Sequence, residues 1–84
     1  MVYLGRMAVP ADTVLRRALS TRRRQIIDAM LCGLSNNEIA AQLGIAPRTV
    51  KGQLAYLFVA FGVRNRIELA HLLVESYGWT SSGS

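Results

Sequence analysis

Arg48, Thr49 and Lys51 stand together just after Pro47, and their side chains can donate hydrogen bonds to phosphate oxygens or base edges. They follow the stretch Gly33-Leu34-Ser35-Asn36-Asn37-Glu38-Ile39-Ala40-Ala41-Gln42-Leu43-Gly44, which reads as a short amphipathic helix closed by a tight turn. Two helices joined this way, the second opening with a cationic first turn, suit the presentation of a helix N-terminus to DNA. Successive helical residues turn by about 100°. With Val50 facing inward, Arg48, Gly52, Ala55 and Val59 fall on the opposite side, with Lys51 on one edge and Thr49 and Tyr56 on the other. In a major groove, Arg48, Thr49 and Lys51 are best placed for bases or nearby phosphates. The competing account of Arg48 and Lys51 is a solvated helix face.

Other cations surround this segment. Arg22, Arg23 and Arg24 are adjacent and read either as a phosphate clamp or as solvated charges. Ser35 and Asn36 open a helix, where capping is their first role and a phosphate contact an additional one. Gln53 and Gln42 are weaker phosphate candidates. Catalytic chemistry finds no support: there is no nucleophile beside a base, no phosphate-cradling glycine loop and no carboxylate cluster. Cys32 reads as a core thiol and His71 as a surface or interface residue. No set of cysteines and histidines suits a metal, and no cofactor is expected.

The net charge of +5 and a sequence pI near 10.4 favour a polyanionic partner, nucleic acid before a membrane surface. Arginine supplies the charge, lysine occurring at Lys51 alone, and the planar guanidinium matches phosphates and guanine edges. With 84 residues, 51% of them hydrophobic, the chain suits one small packed domain. A lone cysteine fits a reducing compartment. Met1–Arg6 lacks the apolar stretch of a signal peptide. Leu54–Val63 is far short of the roughly 20 residues needed to span a membrane.

The elements that position the cationic segment follow from local signals. Residues 1–18 read as an arm and a short helix, with Val14, Leu15, Ala18 and Leu19 at helical spacing after Pro10-Ala11-Asp12-Thr13. Ser20-Thr21 then caps a helix whose Ile26, Ile27, Met30, Leu31 and Leu34 keep a three-and-four rhythm. Ser35 and Glu38 form a capping box, Ile39, Ala40 and Leu43 face inward, and Gly44 ends that helix. Pro47 opens the next, which buries Val50, Leu54, Leu57, Phe58 and Phe61 until Gly62 stops it. Asn65 caps a last helix reaching about Ser76. Residues 19–77 form the domain, and residues 78–84, ending Thr80-Ser81-Ser82-Gly83-Ser84, read as a flexible tail, with Trp79 packing near the C-terminus.

From Leu19 to about Glu75 the chain resembles the LuxR/FixJ (GerE-like) helix-turn-helix domain of bacterial transcription regulators. The resemblance is carried by Gly33-Leu34-Ser35-Asn36-Asn37-Glu38-Ile39-Ala40, Thr49-Val50-Lys51-Gly52-Gln53-Leu54, Ala60-Phe61-Gly62-Val63 and Asn65-Arg66-Ile67-Glu68-Leu69. It implies an all-α fold of four helices, here with an extra short N-terminal helix. It also implies that Lys51, Gly52 and Ala55 line the floor of the DNA groove. Departures from the family pattern are specific. Arg23 and Gln25 replace the two opening glutamates, and Asn37 and Ala60 stand where lysine is frequent. Gln53 replaces a histidine, and Ala46 replaces a capping serine, a loss of about 1 kcal/mol.

In the last helix, Ile67, Ala70 and Val74 are expected to face the core. Leu69, Leu72, Leu73 and Tyr77 then spread apolar surface over a wide arc that calls for a partner. The resemblance implies a homodimer through this helix on a two-fold symmetric site; a competing account covers the arc with the Val14–Leu19 helix. The resulting expectation is a cytoplasmic, bacterial, DNA-binding transcription regulator, nucleoid-associated when bound. Its partners are double-stranded DNA, a second copy, and a sensory or receiver domain or another regulator. The alternative is a helix-turn-helix scaffold that binds a protein partner, favoured by the uncharged Gly52, Ala55, Tyr56 and Val59.

Overall fold

The Ser20 side chain accepts a hydrogen bond from the Arg23 amide, and α1 (Thr21–Leu31) follows. Three more helices complete a computed structural model that describes residues 19–80: α2 (Asn36–Leu43), α3 (Pro47–Phe61) and α4 (Arg66–Tyr77). No strand occurs among these residues. The arm and the short helix expected before Leu19 lie outside them.

Each boundary has a local cause. The Ser35 hydroxyl accepts from the Glu38 amide at 3.1 Å while the Glu38 carboxylate accepts from the Ser35 amide at 2.8 Å, satisfying two donors that the helix itself leaves open. Gly44 leaves α2 at φ +69°, a left-handed conformation that L side chains resist. Pro47 sits in the first turn of α3, but Ala46 provides no side-chain cap there. The Asn65 side chain accepts from the Glu68 amide at 2.9 Å and starts α4.

Helix α3 packs against all three others. Its Val50, Leu54 and Leu57 meet Ile26, Ile27, Ala29 and Met30 of α1, Ile39 and Ala40 of α2, and Leu69 and Leu73 of α4 in one buried cluster. Ile45 lies in the turn between α2 and α3 and packs on that cluster, as do Leu34, Leu43, Phe58 and Phe61. Small Ala40 sits among the buried residues of α2, the helix that packs against α3.

Helix α4 is rotated from the expected phase. Leu69 and Leu73 are fully buried, whereas Ile67 is 77% exposed and Val74 46% exposed. Ala70 does pack on the core. The residue that fixes the phase is Arg66, whose Nη1 donates to the Leu34 carbonyl at 2.7 Å and whose Nη2 donates to Asn36 Oδ1 at 2.5 Å. A helix anchored by Arg66 presents the positions three and seven residues on, Leu69 and Leu73, to the same side. Trp79 also departs from the tail expected after Tyr77: it is 1% exposed and joins the core. Cys32 caps α1 at its C-terminus and is exposed, so the expected core thiol lies at the surface.

Candidate nucleic-acid interface

The outward face of α3 carries Arg48, Thr49, Lys51, Gly52, Ala55, Tyr56 and Val59, all exposed, over a back of buried Val50, Leu54 and Leu57. Core packing sets this orientation, because turning Arg48 or Lys51 inward would put an unpaired charge where Val50 now packs. The turn at Gly44 and the proline at Pro47 bring α3 in immediately after the end of α2, and Pro47, Arg48 and Thr49 of its N-terminal turn are exposed. The cationic edge therefore faces outward, as the sequence predicts.

Two flanks border that face. On one, Lys51 and Ala55 join Asn36, Leu54, Phe58 and Arg66 around an open depression of about 270 Å³. Arg66 is tied to Leu34 and Asn36, whereas Lys51 on this flank is exposed and its side chain makes no hydrogen bond among the described residues. On the other flank, Gln53 and Tyr56 meet Arg23 of α1. Arg23 Nε donates to Gln53 Oε1 at 2.9 Å, and its guanidinium carbon lies 4.0 Å from the centre of the Tyr56 ring.

The three adjacent arginines of α1 thus have three different environments. Arg22 is exposed and reaches the Leu43 carbonyl at the end of α2 with one amine at 3.3 Å. Arg23 is held against α3. Arg24 folds back onto its own helix start, donating to the Leu19 carbonyl at 2.9 Å and to the Thr21 hydroxyl at 3.2 Å. Among them, Arg22 and Arg23 border the turn and the outward face. Ser35 and Asn36 stand at the start of α2, Ser35 within its capping box and Asn36 on the rim of the depression.

The residues expected at a dimer contact separate into two groups. Leu69 and Leu73 are enclosed within the protomer and cannot reach a partner, because Arg66 turns them toward α1 and α3. Leu72 and Tyr77 are half-buried, and Tyr77 packs edge-on against Phe61 with ring centres 5.9 Å apart. Ile67 and Val74 are the exposed apolar residues of α4. His71 is exposed on the same helix. The sequence reading placed Ile67 and Val74 in the core, where the structure leaves them exposed, and it did not anticipate the Arg66 anchor or the contact of Tyr56 with Arg23. A cluster of three or more metal-ligating residues is absent among the described residues.

Comparison with known proteins identifies the fold. The family model described as bacterial regulatory proteins, luxR family, matches residues 17–73. The transcriptional regulatory protein UhpA of Salmonella typhimurium is 41% identical over 61 residues, covering 73% of this chain and 30% of that protein. The transcriptional regulatory protein FixJ of Bradyrhizobium diazoefficiens is 34% identical over 70 residues, covering 82% of this chain and 34% of that protein. A probable transcriptional regulatory protein NarL of Mycobacterium tuberculosis is 42% identical over 48 residues, 57% of this chain and 22% of its own length. The chain thus spans about a third or less of the length of these relatives. No solved structure gives a significant match.

Proposed function

Since the chain belongs to the luxR family of bacterial regulatory proteins, we propose that it is the DNA-binding module of a bacterial transcription regulator and inserts α3 into the major groove. The observation that carries this reading is the solvent-facing set Arg48, Thr49, Lys51, Gly52 and Ala55 mounted on a fully packed back. Arg48 and Lys51 donate to base edges or flanking phosphates, and Thr49 adds a hydroxyl. Gly52 lets the backbone approach closely, and Ala55 offers a methyl contact for thymine. Arg22, Arg23, Ser35, Asn36 and Gln53 hold phosphates and set the register; such contacts position the module without reading sequence. Arg24, tied to Leu19 and Thr21, contributes to the local field more than to a direct contact. The module works by equilibrium binding, without covalent chemistry.

A few base-reading side chains on one protomer give modest specificity, which a two-fold dimer doubles. Ile67 and Val74, exposed on α4 with Leu72 at its edge, supply the apolar surface for that dimer. The relatives extend well beyond the matched region, and a sensory or receiver domain in the whole regulator would supply the signal. The site of action is the bacterial cytoplasm, at the nucleoid. Among the described residues no helix is long and apolar enough to cross a membrane.

Duplex binding measured against salt tests the proposal. Affinity should fall steeply as salt rises from ~50 to ~200 mM, and the double substitution Arg48→Ala, Lys51→Ala should weaken it several-fold or more. The exposed Tyr56 and Val59, 51% and 83% accessible, favour the second reading, a scaffold for a protein partner. Tight protein binding with no duplex affinity at low salt would establish that reading and overturn the first.

A further inference from the structure

We propose that Arg23, Gln53 and Tyr56 form one composite clamp for a DNA phosphate, in which Tyr56 is the positioning residue; the proposal rests on α3 being the groove-inserted helix. A guanidinium has five N–H donors and no acceptor. Arg23 places its Nε hydrogen on Gln53 Oε1 at 2.9 Å, and its guanidinium carbon lies over the Tyr56 ring, 4.0 Å from the ring centre. Neither contact uses Nη1 or Nη2, and among the described residues these two amines have no acceptor.

The same bond sets the Gln53 amide. Because Arg23 can only donate, the Gln53 oxygen must face it, which leaves the Nε2 amine for an outside acceptor. The groups that Arg23 and Gln53 leave open are therefore all donors: two amines of Arg23 and the amine of Gln53. Such a set suits an anion with several oxygens in one place, and a phosphodiester is one. Its location fits as well. The major groove is about 12 Å wide, so a helix inside it has a phosphate strand on either side. Arg23, Gln53 and Tyr56 occupy one flank of α3, and Lys51 and Ala55 occupy the other.

Tyr56 matters because a long arginine side chain otherwise loses its rotamer freedom when it binds. Placed over the ring, bonded to Gln53 and half-buried, the Arg23 guanidinium is ordered before DNA arrives. The family pattern has glutamate at the Arg23 position, an acceptor that would repel phosphate. Here the position carries a donor, with the Tyr56 ring 4.0 Å from its guanidinium carbon.

The test uses a labelled pool of random-sequence duplexes, since the phosphate contribution is independent of sequence. Binding is measured from ~50 to ~200 mM salt for the wild type, Arg23→Ala, Arg23→Lys, Tyr56→Leu, Tyr56→Phe and the double variant Arg23→Ala, Tyr56→Leu, with thermal melts as a folding control. Arg23→Ala should reduce the salt slope by about 0.9 and weaken binding at least five-fold. Tyr56→Leu should weaken binding about three-fold, whereas Tyr56→Phe, which keeps the ring, should stay within two-fold of wild type. The double variant should bind no more weakly than Arg23→Ala alone. Arg23→Lys, which keeps charge without the planar fork, should retain the slope and lose affinity, and it serves if Arg23→Ala does not fold. Equal losses for Tyr56→Leu and Tyr56→Phe, an additive double variant, or an unchanged slope in Arg23→Ala would overturn the clamp while leaving the DNA reading in place. A wild type with no duplex affinity at ~50 mM salt would overturn both.

Discussion

The indole Nε1 of Trp79 donates to Asp28 Oδ1 at 2.8 Å, joining positions 51 residues apart. Gly78 turns the chain left-handed at φ +67°, and the Trp79 amide donates back to the Leu73 carbonyl at 2.9 Å, which sends the ring onto the core beside α1. Removing the ring should therefore be costly. Trp79→Ala is expected to lose about 3–5 kcal/mol of stability, a large share of the total for a domain this small. Trp79→Phe keeps most of the packing and should lose about half as much. Denaturation followed by circular dichroism distinguishes the two. Equal losses would place the stabilisation in the hydrogen bond and not in burial.

Helix α4 gives the second prediction. Ile67→Asp with Val74→Asp changes two exposed positions, so the protomer should keep its stability within about 0.5 kcal/mol and sediment as a monomer. Leu69→Ala empties a fully buried position and should lose about 2–5 kcal/mol. A wild type that sediments only as a monomer at micromolar concentration removes the dimer proposal.

The helices that carry the outward face were legible because their signals are local. Ser35 with Glu38, the left-handed Gly44 and Pro47 each act within one turn of chain, and each is found in the predicted role. The phase of α4 was not legible for the opposite reason. Ile67, Leu69, Ala70, Leu72, Leu73, Val74 and Tyr77 surround the helix, so periodicity gives no preferred face. The deciding contact, from Arg66 to Leu34 and Asn36, spans some thirty residues. Trp79 and Asp28 are hidden from a local reading in the same way, as are Arg23 and Tyr56.

Arg66 supplies a third prediction. Its two amines hold the segment just before α2 and the first residue of α2, on separate acceptors. Arg66→Ala should lose about 1.5–3 kcal/mol, the range for hydrogen bonds to a charged group. Arg66→Lys should recover little, because one ammonium on a flexible stem does not reproduce the planar fork. Amide exchange at residues 36–39 should accelerate in both variants. Protection unchanged in Arg66→Ala would show that the Ser35–Glu38 capping box alone secures that end.

Ala46 leaves the start of α3 without a side-chain cap, although its backbone is extended as a capping residue requires. Ala46→Ser should therefore raise stability by about 0.5–1 kcal/mol, visible as a higher melting temperature. No gain would mean that the exposed amides at this end are already well hydrated.

Gly52 separates the needs of the folded chain from those of a bound partner. It lies inside α3 with ordinary helical geometry, and a methyl group added there meets nothing within 4 Å. Alanine is better than glycine in a helix interior by about 1 kcal/mol, so Gly52→Ala should melt higher than the wild type. The new methyl would, however, project from the outward face between the Lys51 and Tyr56 flanks, where the proposed groove floor lies closest to the backbone. Duplex affinity should then fall several-fold even as stability rises. These opposite signs cannot come from a general loosening of the fold, which would lower both quantities. A variant that is both more stable and equally tight on DNA would mean that the backbone at Gly52 does not approach the bases, and the proposed docking of α3 would have to be turned about its axis.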